Sequence, residues 1–293
     1  MTPAATPTLQ PLKGVRILSL ALNLPGPAAL MRCRQMGATC LKLEPPGGDP
    51  MQQYNPAAYH QLHERIELLT ADLKTGPGQE QLHRELAQAD MLITSFRPSA
   101  LVKLGLTWQA LHRQYPQLSQ IAIVGAPGER AEKAGHDLTY LAESGLVTGL
   151  ELPATLYADM GGSLMASEAV LQAVMQHRSQ GNGVCLEIAL SSAAGYLALP
   201  RAWGLSQPTA AVGGGHAGYR VYACQDGRVA LAALEPHFAA RLCAAAGIET
   251  GSMQTMFEPA THEAVAAFLL ARTRQELDAL AMEKDIPLHT LPA

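Results

Sequence analysis

Three short stretches set ionisable side chains beside glycines or turn residues, where a side chain can reach a substrate. The first is Gly135-His136-Asp137-Leu138-Thr139-Tyr140. A carboxylate near an imidazole favours its charged form and fixes its tautomer, so His136 reads as a candidate general base. Neighbouring residues on a helix do not face each other, and Asp137 reads equally as the N-cap of a helix over 138–146. The second stretch is Tyr157-Ala158-Asp159-Met160-Gly161-Gly162. Asp159 either caps the long helix that follows or, with small neighbours, stands oriented and open to a substrate. The third, Ala233-Leu234-Glu235-Pro236-His237-Phe238, puts Glu235 between an apolar strand and a helix start. Glu44, ahead of Pro45-Pro46-Gly47-Gly48-Asp49, is a loop acid or a ligand-facing one. Groups of these types suit proton transfer or attack by a carboxylate.

The elements that must carry them follow from pattern. Val15–Leu20 reads as a buried strand, Pro25-Gly26-Pro27 turns the chain into a helix over Ala28–Met36, and Thr39–Leu43 returns as a strand. That order is a βαβ unit with a right-handed crossover. Helices over 79–89 and 108–114 alternate with strands over 91–94 and 120–124. The fold class expected is α/β, a doubly wound parallel sheet with a smaller α+β domain. A long helix over 161–178 has Leu164, Met165, Val170, Leu171 and Val174 mostly on one face, and a strand over 184–190 follows. Tyr219–Cys224 and Val229–Leu234 form a hairpin with an Asp-Gly turn, followed by three helices. The boundaries expected are a flexible leader over 1–10, a large domain over 11–199, a smaller one over 200–283, and a tail over 284–293. Pro25-Gly26-Pro27, 44–49, 95–98 and 125–127 fall at the carboxyl ends of strands, where such sheets bind ligands. None matches GxGxxG or a P-loop.

The 293 residues carry 21 Lys+Arg against 25 Asp+Glu, a net charge of −4. That gives no basic footprint for nucleic acid. The five cysteines show no CxxC spacing and read as buried reduced thiols of a cytoplasmic protein. No apolar run approaches the ~20 residues of a membrane span.

A family resemblance rests on blocks spread from about Pro11 to Pro287. They are Pro11-Leu12-Lys13-Gly14-Val15-Arg16-Ile17-Leu18, the stretch Gly37 to Pro50, Ser95-Phe96-Arg97-Pro98 with Leu104-Gly105-Leu106, and Arg178-Ser179-Gln180-Gly181-Asn182-Gly183. Together they resemble the class III CoA-transferases of the CaiB/BaiF type. The resemblance implies an intertwined homodimer acting on acyl-CoA thioesters, with coenzyme A as part of the substrate, no separate cofactor and no metal. Asp159 falls where the transferases carry the nucleophile that passes an acyl group through a mixed anhydride to CoA. A carboxylic acid is then the co-substrate. Gly135-His136-Asp137, with Tyr140, and Leu234-Glu235-Pro236-His237-Phe238 look like motifs of the α-methylacyl-CoA racemase branch. There His136 and Asp159 would exchange a proton with the substrate, and Glu235 would orient His136. Arg97, Arg65 and Glu44 are the residues expected at CoA. The family's Arg-Gly-Lys stretch reads Glu64-Arg65-Ile66-Glu67 here, which implies weaker hold on CoA phosphates. Three readings stay open: a 2-methylacyl-CoA racemase or epimerase, a CoA-transferase, and a non-catalytic binding relative.

Overall fold

The run expected as the first strand lies inside a six-stranded sheet in the computed structural model, which describes residues 9–249 and 253–293. Most of the stretch read as a leader falls outside the described residues. The chain divides after Ala198 into two units. The first runs β1 (Arg16–Ser19), α1 (Pro25–Gln35), β2 (Thr39–Glu44), α2 (Met51–Tyr54), α3 (Pro56–Leu62), β3 (Glu67–Thr70) and α4 (Gly76–Leu86). It continues through β4 (Met91–Thr94), α5 (Pro98–Leu104), α6 (Trp108–Gln114), β5 (Ser119–Val124), α7 (Asp137–Glu143), α8 (Tyr157–Gln180), β6 (Cys185–Ala189) and α9 (Leu190–Leu197). Every neighbouring pair in the order β3-β2-β1-β4-β5-β6 is parallel. The strand order reverses between β1 and β4, which is where a doubly wound sheet opens a crevice.

Successive side chains of a strand point to opposite faces, and the core divides accordingly. Ile17, Met91, Ile93, Ile121 and Ile123 pack with α1 and α8 on one face. Leu18 and Leu92 pack with α4, α5 and α6 on the other. The buried face of α8 is built from small residues, Gly162, Ser163, Ala166, Ser167, Ala169 and Ala173 among them, while Leu164 is exposed. Val170 and Val174 join that buried face and Leu171 packs against it, so of the larger side chains expected there Leu164 is the one turned outward. Small residues let α8 approach α1, where Arg32 Nε donates to Ser167 Oγ at 3.2 Å. Strand β3 carries little sequence signal, because it is four residues long with only Leu68 and Leu69 apolar. Cys185 is exposed on edge strand β6, unlike the other four cysteines, which are buried.

The second unit holds α10 (Leu199–Ala202), β7 (Tyr219–Cys224), β8 (Gly227–Ala232), α11 (Pro236–Ala246), α12 (Pro259–Leu270), α13 (Arg274–Lys284) and β9 (Leu288–Pro292). Its three strands form an antiparallel sheet in the order β7-β8-β9. The hairpin loop is Gln225-Asp226, with Gly227 already paired to Cys224. Residues 284–293, read as a tail, contain β9, whose Leu288 pairs with Leu231 of β8. No described helix is long and apolar enough to cross a membrane.

A buried ion cluster sits at the carboxyl end of β2. Lys42 and Glu44, two residues apart, point to the same side of the strand. Lys42 Nζ lies 2.5 Å from Asp49 Oδ2, 2.9 Å from Glu44 Oε1 and 2.9 Å from His63 Nε2. Tyr59 donates its hydroxyl to Glu44 Oε1 at 3.0 Å. Glu44, Asp49 and His63 converge closely enough to suggest a metal triad, their ligand atoms within 4.8 Å of one another. The ammonium already stands against all three and supplies the positive charge they need. Burial and Lys42 both hold the His63 imidazole below its ordinary value, which keeps it neutral beside the ammonium.

Removing one partner of a buried ion pair leaves the others desolvated and uncompensated, at a cost of about 3–5 kcal/mol. Lys42→Met should lower the stability of the first unit by that order. Urea unfolding followed at Trp108, in a Trp203→Phe background, measures it. An unchanged midpoint would mean that the cluster is electrostatically indifferent.

Candidate active site

The loops that leave the carboxyl ends of β1, β4 and β5 wall a cleft of about 760 Å³ in the first unit. Leu22 to Pro25 follow β1, Ser95 to Arg97 follow β4, and Gly125 follows β5; all line it. So do His136, Asp137, Tyr140 and Asp159 from the starts of α7 and α8. The ion cluster reaches this wall through Asp49. Its carboxylate accepts from Asn23 N at 3.1 Å and from Met51 N at 2.9 Å, and both residues face the cleft. Asn23 takes a left-handed backbone (φ 64°), which asparagine tolerates and these bonds hold in place. Ser95 Oγ accepts from Leu22 N at 3.3 Å and ties the two loops at the strand-order reversal.

Helix α7 begins one residue earlier than an Asp137 cap would require. His136 is the N-cap residue and Asp137 the first helical residue. Thr139 Oγ1 accepts from His136 N at 3.0 Å and donates to His136 O at 2.7 Å, so the backbone beneath the imidazole is fixed. Helix α8 likewise starts at Tyr157, before the expected Gly161, and Asp159 lies inside its first turn. Asp159 is therefore not the cap. The cap position holds Leu156, whose side chain cannot accept a hydrogen bond. The missing acceptor comes from α7: Asp137 Oδ1 accepts from Asp159 N at 3.0 Å.

Opposing effects act on the Asp159 carboxyl. The helix N-terminus and the nearby His136 favour the anion. Burial, followed by the Asp137 charge, outweighs them and raises its pKa from 3.8 to about 6. Such a carboxyl exchanges its proton close to neutral pH. Tyr140 is held above the ordinary phenol value, first by burial and then by Asp159. Its hydroxyl fits between two glycines; a methyl group would stand 2.2 Å from that oxygen at Gly125 and 2.6 Å at Gly135. Glycine is required at both by this close approach.

The rim carries two exposed cations, Arg97 and Lys133, with no ion pair among the described residues. Glu132 sets the relation of their segments, accepting from Ser99 N at 2.5 Å and from Ser99 Oγ at 2.9 Å. Nearby Arg130 is already bound by both oxygens of Glu143, at 2.6 and 2.7 Å.

Of the residues singled out from sequence, the cleft gathers His136, Asp159 and Arg97. Glu44 does not face it; burial in the Lys42 cluster turns its carboxylate inward. Arg65 sits in the turn before β3, exposed and 3.7 Å from Glu64, and is not among the cleft residues. Glu235 belongs to the second unit, where it is the exposed N-cap residue of α11. Sequence reasoning missed Lys133, which sits in a polar loop without any pattern. It also missed the acceptor role of Asp137, which links residues 22 apart.

Comparison with known proteins follows the same outline. A succinyl-CoA–D-citramalate CoA-transferase from Chloroflexus aurantiacus is 32% identical over 198 residues, covering 62% of this chain and 49% of that protein. An α-methylacyl-CoA racemase from Mus musculus is 29% identical over 267 residues, 85% of this chain and 68% of that one. The chain spans about half the length of the Chloroflexus transferase and of a probable fatty acyl-CoA transferase from Mycobacterium tuberculosis, 49% and 52% respectively. The crystal structure of the protein Rv3272 from Mycobacterium tuberculosis matches with a TM-score of 0.85 over 97% of this chain and 86% of that one. Its identity is 22%, so the likeness is one of fold. Residues 12–291 match the profile of CoA-transferase family III, and the chain belongs to that family.

Proposed function

We propose that this chain acts on acyl-CoA thioesters and moves a proton at the α-carbon, as a racemase or epimerase does. The observation that carries the reading is that His136 and Asp159 line one cleft, with the Asp159 carboxyl raised to about 6. No hydrogen bond joins the two side chains among the described residues, so neither is engaged by the other. A proton beside a thioester is only modestly acidic, so its removal needs a base on one face and an acid on the other. The Asp159 carboxyl changes protonation near neutral pH, so it can give up a proton or take one back. Leu22, Leu24, Phe96, Leu138 and Leu190 offer an apolar acyl group contact and exclude water. Arg97 and Lys133 are placed to meet CoA phosphates at the mouth.

The second reading is CoA transfer between carboxylic acids. The names of the transferase relatives favour it, as does a carboxylate in the first turn of a long helix. Asp159 would then attack the thioester carbonyl, forming an acyl-aspartyl anhydride and expelling the CoA thiolate. The test is deuterium uptake at the α-carbon of a branched acyl-CoA in heavy water, beside a CoA-transfer assay on the same preparation. Exchange without transfer supports the first reading, transfer without exchange the second; neither activity would defeat both.

His136 separates the two. His136→Ala should slow α-proton exchange by about 10²–10⁴, the range for a general acid–base group. A variant with undiminished exchange would make His136 a bystander.

The raised Asp159 pKa also has a signature in stability. A carboxyl that titrates at 3.8 unfolded and about 6 folded binds more protons in the folded state between those values. Folded stability therefore falls as pH rises through that window, and the ionised carboxyl remains a cost above it. Asp159→Asn should raise the melting temperature at pH 7–8, with the difference vanishing below the unfolded pKa of 3.8. Melting curves across that range check it; equal melting temperatures at neutral pH would contradict the site electrostatics.

Charge-assisted hydrogen bonds are worth about 1.5–3 kcal/mol each, or roughly 10–150-fold in affinity. Arg97→Ala and Lys133→Ala should each weaken CoA binding within that range, as titration calorimetry with CoA would record. Unaltered affinity in both would move the phosphate site elsewhere.

A further inference from the structure

Asp137 is only 5% exposed, yet no cation pairs with it among the described residues. Its hydrogen bond is to Asp159 N, at 3.0 Å. That N–H is one of the orphan donors in the first turn of α8, and a neutral oxygen or a water would satisfy it equally well. A carboxylate in that place has a second consequence. It sets a negative charge at the wall of the cleft, near another carboxyl.

We propose that Asp137 is a positioning residue for Asp159: its carboxylate fixes the first turn of α8 and places a second negative charge against the Asp159 carboxyl. The inference rests on the reading of Asp159 as the reacting group. Without Asp137, Leu156 offers no cap, and the turn that aims Asp159 into the cleft has a free end. The charges around Asp159 come from few elements. From the start of α7 these are Asp137, His136 and Tyr140; from α2 there is Tyr54, whose phenol is raised by burial, then by Asp49 and Asp159. Helix α9 contributes the apolar Leu190, and Arg32 of α1 is engaged farther along α8, at Ser167. Asp137 is thus the acid that opposes ionisation of Asp159, and His136 is the group that favours it. The carboxyl is held between one neighbour that keeps its proton on and another that draws it off. Proton return to a substrate depends on the first of these.

Substitution separates the two parts of the role. Asp137→Asn keeps an acceptor oxygen and removes the charge; Asp137→Ala removes both. The readout is the carboxyl carbon of Asp159 in protein labelled with ¹³C-aspartate, assigned with Asp159→Asn and followed against pH. The midpoint should lie near 6 in the native protein. In Asp137→Asn it should fall by up to about 1 unit, because burial is the larger contribution and remains. Exchange of the Asp159 amide should be native-like in Asp137→Asn and faster in Asp137→Ala. An unshifted Asp159 midpoint in a folded Asp137→Asn overturns the proposal. If that variant does not fold, the native protein decides alone. The Asp137 carboxyl carbon, bonded through Oδ1 to the Asp159 amide, should change its chemical shift as Asp159 titrates. An Asp137 resonance that passes through the Asp159 midpoint unchanged would overturn the proposal. Neither readout needs a substrate. An inactive protein with coupled carboxyls would therefore defeat the proposed function while leaving this inference standing.

Discussion

One buried ammonium organises the wall of the cleft. Lys42 is fully buried, and a lone charge there would cost several kcal/mol. The cost is offset because Asp49, Glu44 and His63 all meet it. The consequence extends beyond stability. Asp49 has acceptor capacity left, and spends it on the backbone of Asn23 and Met51. The loop after β1 and the start of α2 are thereby fixed relative to each other. A purely apolar replacement would fill the same space but could not hold two loop amides. Glu44, drawn into this cluster by its pairing with Lys42, serves the site from behind the wall.

The other wall is built on a competition between electrostatic effects. A helix N-terminus is worth at most about 2 kcal/mol toward an anion in partly buried geometry. Against it stand desolvation and a carboxylate whose oxygen bonds the same residue's amide. The second pair of effects prevails, and the Asp159 carboxyl is raised to about 6. The same Asp137 oxygen that completes the helix cap therefore also shapes the acidity of the site. Structure and chemistry are coupled through one hydrogen bond.

Much of this was legible in the sequence, and the failures have physical causes. The alternation of short apolar runs with helical periods gave the parallel sheet, and the strands over 91–94 and 120–124 fall within one residue of β4 and β5. His136, Asp159 and Arg97 were marked by turn residues and family blocks, and they converge. Glu44 was misread because the loop after β2 looks open, whereas the charged Lys42 two residues earlier signals an internal pair on a buried strand. The cap assignments of Asp137 and Asp159 failed by one to three residues. In both helices the first turn is satisfied from outside the cap residue's own side chain, by Thr139 and by Asp137. The apolar stripe read on α8 holds at Val170, Leu171 and Val174 and fails at Leu164, and the small residues beside it add the close approach to α1.

A carboxyl at the start of α8 can serve either covalent or proton chemistry, and its surroundings decide which it does better. A nucleophile gains from being fully ionised, and the pocket works against that by burying Asp159 and backing it with Asp137. A proton carrier gains from a pKa near the working pH. An imidazole on the same cleft, with its backbone locked by Thr139, is the complementary group on the proposed reading. Had the design favoured attack on a carbonyl, a cation against Asp159 would be the simpler arrangement. Arg97 and Lys133 stand at the rim, where phosphates would meet them, and the charge nearest in contact with Asp159 is another acid. On the proposed reading, that placement suits a carboxyl that carries a proton.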